Sequence, residues 1–210
     1  MSAYSGRMTN TVAAFVLAVG CAYSAGIEAA AAQQTRSTNQ IIDALKPAPR
    51  TRSLTATPAD TASKAEDARF VDTLRNRPTR SLTTEERTKI ATITKEKPSI
   101  DLEINFEYNS DRISSAALHQ VTALGQALSS PELKGSTFVL AGHTDAKGGD
   151  TFNQGLSERR ADTVRRFLKE KFNIDDGKLV TVGYGRTQLK NTSNPAAAEN
   201  RRVQVVNVAN

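Results

Sequence analysis

Tryptophan is absent from the 210 residues, cysteine occurs once, histidine twice, and aromatic residues make up 5%. A single cysteine excludes an internal disulfide and a cysteine-rich zinc site. His119 and His143 alone leave little material for a histidine metal cage. No run of about 18 apolar residues lies in the body of the chain, so no internal membrane-spanning helix is expected. Apolar residues are 38% of the total, below the roughly 45–50% usual for globular domains. One compact core using every residue is therefore excluded, and nothing in this inventory calls for a cofactor.

What is present is unevenly spread. Lys and Arg number 28 against 22 Asp and Glu, a net charge of +6. Residues 33–98 hold 13 basic and 8 acidic residues, whereas residues 99–210 hold 14 and 13. The excess sits in the middle of the chain, where Phe70 is the one aromatic residue. A nucleic-acid groove interleaves basic with aromatic residues, so no nucleic-acid partner is expected.

Residues 1–32 read as a secretory signal peptide. Arg7 precedes the apolar run Thr11-Val-Ala-Ala-Phe-Val-Leu-Ala-Val-Gly20, and the small residues Ala29-Ala-Ala-Ala32 offer a cleavage site before Gln33. Cys21 opens a second reading. Ala18-Val-Gly-Cys21 resembles a bacterial lipobox, with Ala in place of the usual Leu, and there the cysteine is lipidated. Otherwise Cys21 leaves with the signal. Either way the chain is exported, to the periplasm or the outer membrane.

Residues 33–98 are rich in Thr, Ala, Pro, Arg and Ser and poor in large apolar residues, which predicts a flexible, disordered, basic linker. They contain an internal repeat at 41–55 and 70–83. Ile41-Ile-Asp-Ala-Leu-Lys46 matches Phe70-Val-Asp-Thr-Leu-Arg75, Pro49 matches Pro78, and Thr51-Arg-Ser-Leu-Thr55 is identical to Thr79-Arg-Ser-Leu-Thr83. The repeat is either a duplicated spacer or a short recognition peptide. A short helix is expected from Thr84, capped by Thr83 or Thr84.

Residues 99–210 alternate between two periodicities. Strands are expected at Ile100–Phe106, Ser136–Gly142, Leu179–Gly183 and Arg201–Val208, with helices from Ser114 or Ser115 to Leu128 and from Asn153 to Phe172. The order β-α-β-α-β-β predicts an α/β (α+β) two-layer sandwich with a mixed sheet.

The long helix contains a misfit. At about 100° per residue, Leu156, Ala161, Val164, Phe167, Leu168 and Phe172 form one stripe, and Arg160 falls inside it. A core-facing arginine is costly unless a carboxylate answers it. The candidate is Asp145, in Gly142-His-Thr-Asp145 just past the second strand. The pair can be an internal salt bridge. It can equally hold a zwitterion, with Asp145 on an ammonium and Arg160 forked onto a carboxylate.

The run from Gly142 to Val164, with its Thr-Asp145, Leu156-Ser and Arg160-Ala pieces, resembles the signature of OmpA-like domains. So do Ile104-Asn-Phe-Glu-Tyr-Asn-Ser110, Val182-Gly-Tyr-Gly185 and Asn200-Arg-Arg-Val203, in family order. The resemblance implies non-covalent binding of peptidoglycan through the diaminopimelate of its stem peptide, in a cell-envelope protein that is not an enzyme. It carries Asp145 and Arg160 over as ligand residues, with Asn109, Asn153 and Arg201 as further pocket positions. Asn153 also reads as the N-cap of the long helix, and Arg201 as a solvated strand residue. The family's proline after Gly-x-Gly is missing, since Arg186 stands there, and no β-barrel is expected ahead of the domain. Partners implied are peptidoglycan and, through a lipid anchor on Cys21, the outer membrane.

Rival readings are weaker. His143 near Asp145 invites a hydrolase triad, but no Gly-x-Ser-x-Gly elbow is present. His143 reads instead as a strand-end residue donating a hydrogen bond into the loop. Gly183-Tyr-Gly185 is a weak phosphate-loop signal. The alternative from another class is a structural protein-interaction domain that does not bind peptidoglycan.

Overall fold

The computed structural model describes residues 35–47, 58–107 and 110–208. The signal peptide expected at residues 1–32, Cys21, the first Thr-Arg-Ser-Leu-Thr copy and Asn109 lie outside the described residues.

The second and third strands are apolar on both faces, and this decides the architecture. Strands β1 (Ser99–Leu102), β2 (Phe138–His143), β3 (Leu179–Gly185) and β4 (Val203–Asn207) form one open mixed sheet in the order β1-β4-β2-β3. β4 runs antiparallel to β1 and β2, while β2 and β3 are parallel. Every residue of β2 and of β3 is buried, as expected of strands covered on both sides. Helix α4 (Leu118–Leu128) joins β1 to β2, and helix α5 (Asp150–Phe172) joins β2 to β3. The observed order within residues 99–208 is the expected β-α-β-α-β-β.

Two details differ. The β1 ladder stops at Leu102, and Phe106 forms only an isolated bridge with Ile113. Helix α5 begins at Asp150 with Gly149 as its N-cap, so Asn153 lies one turn inside it and does not cap it.

On one face, Phe138, Leu140, Val203, Val205 and Leu102 pack with Val121 and Leu124 of α4 and Val164 and Leu168 of α5. Helix α5 seats so closely that a Cβ on Gly183 would fall 2.6 Å from Ser157 Oγ, and one on Gly142 would strike the Ser157 carbonyl. The other face alternates out of the same strands as Val139, Ala141, Val180, Val182, Tyr184 and Val206.

That second face is covered by the segment the composition assigned to a flexible linker. Its described part departs from that expectation. Helix α1 (Thr38–Leu45) starts at a Ser37–Gln40 capping box and buries Ile41 and Leu45 against the α4 side. Helix α2 (Pro58–Thr73), a 3-10 turn at Thr79–Ser81 and helix α3 (Thr84–Thr94) follow, and Thr83 caps α3 in a box with Glu86. Val71, Leu74, Leu82 and Ile90 bury against the second face. Low average hydrophobicity hides a few well-placed apolar residues. Each fully buried Leu or Ile contributes about 1.5–3 kcal/mol, and short helices form because they dock.

The first six residues of each repeat copy also correspond in structure. Lys46 pairs with Asp43 at 3.0 Å, and Arg75 with Asp72 at 2.8 Å, at equivalent positions. The described part of the first copy, through Ile41 and Leu45, and the second copy, through Val71 and Leu74, dock on opposite faces of the sheet. In the second copy Thr79 Oγ1 bonds the Asp162 carboxylate at 2.6 Å and meets the Thr181 hydroxyl, so the turn lies along the free edge of β3. No helix among the described residues is long and apolar enough to cross a membrane.

Candidate functional site

The loop after β2 is held on three sides before any ligand arrives. Thr144 N donates to Gly185 O at 2.8 Å, and Ala146 N donates to Pro195 O at 2.9 Å. The Asn153 side chain, 2% exposed, donates from Nδ2 to Lys147 O at 2.9 Å. Asn153 therefore shapes the loop from within α5. Arg186 bonds Asp150 and donates from Nη1 to Ala146 O at 3.2 Å. The residue that replaces the family proline thus clamps the loop from outside.

Asp145 is 8% exposed at the centre of this loop. Its Oδ1 accepts from Lys147 N at 3.1 Å and its Oδ2 from Arg201 Nη1 at 2.8 Å. The salt bridge expected with Arg160 is made instead by Arg201, and this places Arg201 in the cluster and not on a solvated strand. Two bonds leave acceptor capacity on a carboxylate that has about four lone-pair sites.

Arg160 projects from the inner side of α5 and is 9% exposed. Its Nε donates to Ser110 O at 3.3 Å, and its guanidinium lies 4.7 Å from the centre of the Phe106 ring. Burial, and next the positive charge of Arg201, pull its pKa below the usual arginine value, while Asp145 and Asp111 oppose them. An arginine stays charged even so. The fork is thus fixed by its Nε and by its ring face. Among the described residues, no hydrogen bond occupies Nη1 or Nη2. The cluster brings together Asp145, Arg160, Arg201 and Asn153; Asn109 lies outside the described residues.

Asn200 was not singled out by spacing, yet it organises the rim. It is fully buried. Its Oδ1 accepts from Lys190 N and Asn191 N at 2.8 and 2.9 Å, and its Nδ2 donates to the carbonyls of Asn191, Asn194 and Pro195. Pro195 O in turn holds the Asp145 loop. The hint in the sequence is its place at the head of the family-like block Asn200-Arg-Arg-Val203.

His143 does not donate into the loop as expected. It is 1% exposed, packs 5.4 Å from the Tyr184 ring, and neither ring nitrogen makes a hydrogen bond of good geometry, only a weaker contact with the Gln188 backbone. Burial first, and then the charge of Arg202, push its pKa down to about 3, against Asp101 and the Gln188 backbone. A histidine this hard to protonate is a poor general base near neutral pH.

A sequence profile described as the OmpA family matches residues 105–202. The chain is 29% identical over 107 residues to outer membrane porin F of Pseudomonas aeruginosa, a match covering 50% of this chain and 30% of the porin. It is 33% identical over 103 residues to the peptidoglycan-associated lipoprotein of Legionella pneumophila, covering 48% of this chain and 57% of the lipoprotein. The lipoprotein of the same name from Pseudomonas aeruginosa is 34% identical over 104 residues, covering 48% of this chain and 58% of its own. The match thus spans less than two thirds of each of these relatives.

Proposed function

We propose that the protein, whose residues 105–202 match the OmpA family profile, binds peptidoglycan non-covalently in the cell envelope and catalyses nothing. The ligand group is the diaminopimelate of the stem peptide. Arg160 takes its carboxylate by a bidentate fork, and Asp145 takes its ammonium. The carrying observation is that Arg160 is oriented by Ser110 and Phe106 through atoms that a carboxylate does not need. Arg201 holds Asp145 in place, and Asn153 shapes the loop that presents it. Asn109 is proposed as a further contact by family resemblance. Two relatives named for peptidoglycan association support the reading.

Export is part of the proposal. Cleavage after Ala32 gives a periplasmic protein, and lipidation of Cys21 gives one tethered to the outer membrane. Mass spectrometry of the mature N-terminus distinguishes them.

The test is capture by insoluble sacculi at low and at high salt, with free diaminopimelate as competitor. Exposed charges are screened beyond about 8 Å at physiological salt, whereas a partly buried fork is not. Salt-resistant capture that diaminopimelate reverses supports the reading. Capture that vanishes with salt or ignores the competitor rejects it, and release of soluble muropeptides rejects the non-catalytic part.

A further inference from the structure

The second Thr-Arg-Ser-Leu-Thr copy has a residue that packing does not explain. Thr79 is spent on Asp162 and Thr181, and Leu82 is spent on the core. Arg80 is exposed and faces a groove of about 690 Å³ between its own turn and the outer side of α5. Arg159 and Arg166 line the same groove. Gly155 leaves its floor open, and a Cβ there would stand 3.3 Å from Arg159 Nη1.

Three of the four carboxylates lining this groove are already bonded, Asp111 being the fourth. Asp176 holds Arg165 at 2.8 Å and Lys169 at 3.2 Å. Glu158 pairs with Arg87 at 3.3 Å. Asp162 accepts from the Thr79 and Thr181 hydroxyls at 2.6 and 2.8 Å. Among the described residues, no carboxylate pairs with Arg80, Arg159 or Arg166, and Arg166 donates only to the Thr163 hydroxyl. Arg80, Arg159, Arg165, Arg166 and Lys169 thus line the groove against Asp111, Glu158, Asp162 and Asp176, with Glu158 further neutralised by Arg87. The net charge is therefore positive, and the unpaired cations are guanidinium groups, which match carboxylates.

The groove adjoins the pocket already described. Arg159 and Arg160 are consecutive on α5, one exposed toward the groove and one buried toward Asp145. Asp111 lines the groove and also supports the charge of Arg160. Resting on the function proposed above, we infer that this groove is a second binding site for the same polymer, taking a carboxylate of a neighbouring stem peptide on Arg80, Arg159 and Arg166. One wall comes from residues 76–80, outside the stretch that matches the family, so the site is an addition of this chain's N-terminal segment. Exposed ion pairs are individually weak. A polymer already held at Arg160 presents its next carboxylate at high effective concentration, and the second contact then acts as avidity.

The test compares two probes. One is a soluble stem tripeptide carrying diaminopimelate, which fills only the first pocket. The other is intact sacculi. The triple variant Arg80→Gln, Arg159→Gln, Arg166→Gln should keep the tripeptide affinity and bind sacculi about tenfold or more weakly. A charge-matched control, Lys64→Gln, Lys134→Gln, Lys171→Gln, should bind both as wild type does. The inference is overturned if the groove variant binds sacculi like wild type, if the control loses as much, or if both probes weaken equally. A wild-type protein that ignores the tripeptide overturns the Arg160 reading instead, and the groove is still judged by its variant against the control on sacculi.

Discussion

Arg201 Nη1 lies 2.8 Å from Asp145 Oδ2 across a sequence separation of 56 residues, and the two sides of this bond are unequally buried: 41% of the arginine side chain is exposed against 11% of the aspartate. Removing each partner should therefore have a different cost. Arg201→Ala leaves Asp145 with the Lys147 amide and the charge of Arg160, and should cost about 1 kcal/mol or less. Asp145→Ala leaves two nearby guanidinium groups facing each other and a loop amide unbonded, and should cost about 1–3 kcal/mol. Urea denaturation of the two variants checks the order. Equal costs would mean that Arg160 does not feel Asp145.

A rim prediction follows from Asn200. Its amide bonds five backbone groups of residues 190–195 from a fully buried position. Asn200→Ala orphans several of them at once, at about 1–3 kcal/mol for each buried unsatisfied group before relaxation. The expected result is protease cleavage within residues 190–199 and weaker diaminopimelate binding, although Asn200 itself is fully buried. Uncut protein with full affinity would place the rim's stability elsewhere.

His143 gives the pH dependence a sign. Its folded pKa is lowered from 6.5 to about 3. Between those values the unfolded chain binds a proton that the native state refuses, so stability falls as pH drops below about 6.5 and is unaffected by this group above it. The limiting slope is about 1.4 kcal/mol per pH unit. Asp101 and Asp176, whose pKa values are lowered from 3.8, add their losses as pH falls through the carboxylate range, mostly below the pH 5 end of the comparison. Urea midpoints at pH 7 and pH 5 should differ for wild type and differ much less for His143→Phe, whose ring can keep the Tyr184 contact. An unchanged difference in the variant would assign the slope to other groups.

The cover on the second sheet face is testable by removal. Deleting the chain up to residue 98 uncovers Val139, Val180, Val182 and Val206, a contiguous apolar patch of the kind that aggregates. Leu82→Ala removes one buried contact and should cost about 2–5 kcal/mol. A truncated domain that stays monomeric, with an unshifted melting temperature, would show the cover to be incidental.

These elements were unequally legible in the sequence. Arg160 announced itself because an arginine inside an apolar helical stripe needs a reason, and the strand and helix order followed from periodicity. Arg201 was reached only through the family resemblance, because nothing local ties residue 201 to residue 145; the 3-10 turn at Ala198–Asn200 and the rim cage set that approach. The docking of residues 58–98 was missed on composition, although a signal for it existed. Phe138-Val-Leu-Ala and Leu179-Val-Thr-Val are apolar on both faces of their strands, and helices α4 and α5 cover only one. Something else in the chain had to cover the other face, and residues 33–98 were available.

The seat of α5 links packing to binding most directly. Ser157 lies over Gly183, where an added Cβ would come within 2.6 Å of Ser157 Oγ and Glu158 Cγ and 2.7 Å of Glu158 N. The backbone nitrogen cannot swing aside as a side chain can, so Gly183→Ala must lift the helix. Arg160 is one turn further along, and its fork is aimed by a 3.3 Å bond to Ser110 O and by the Phe106 ring, neither of which travels with α5. Ser157 Oγ also accepts from Gly185 N at 2.9 Å, next to the residue pairing that holds Thr144. Overpacking of this kind costs about 1–3 kcal/mol, which leaves most domains folded. Gly183→Ala should therefore remain folded with a lower melting temperature, while its diaminopimelate affinity falls by more than that stability loss explains at a temperature where the protein is fully native. Thermal melts and competition binding on the same preparation separate the two effects. If the variant melts lower but binds as wild type, the position of α5 does not aim Arg160, and the fork is oriented by Ser110 and Phe106 alone.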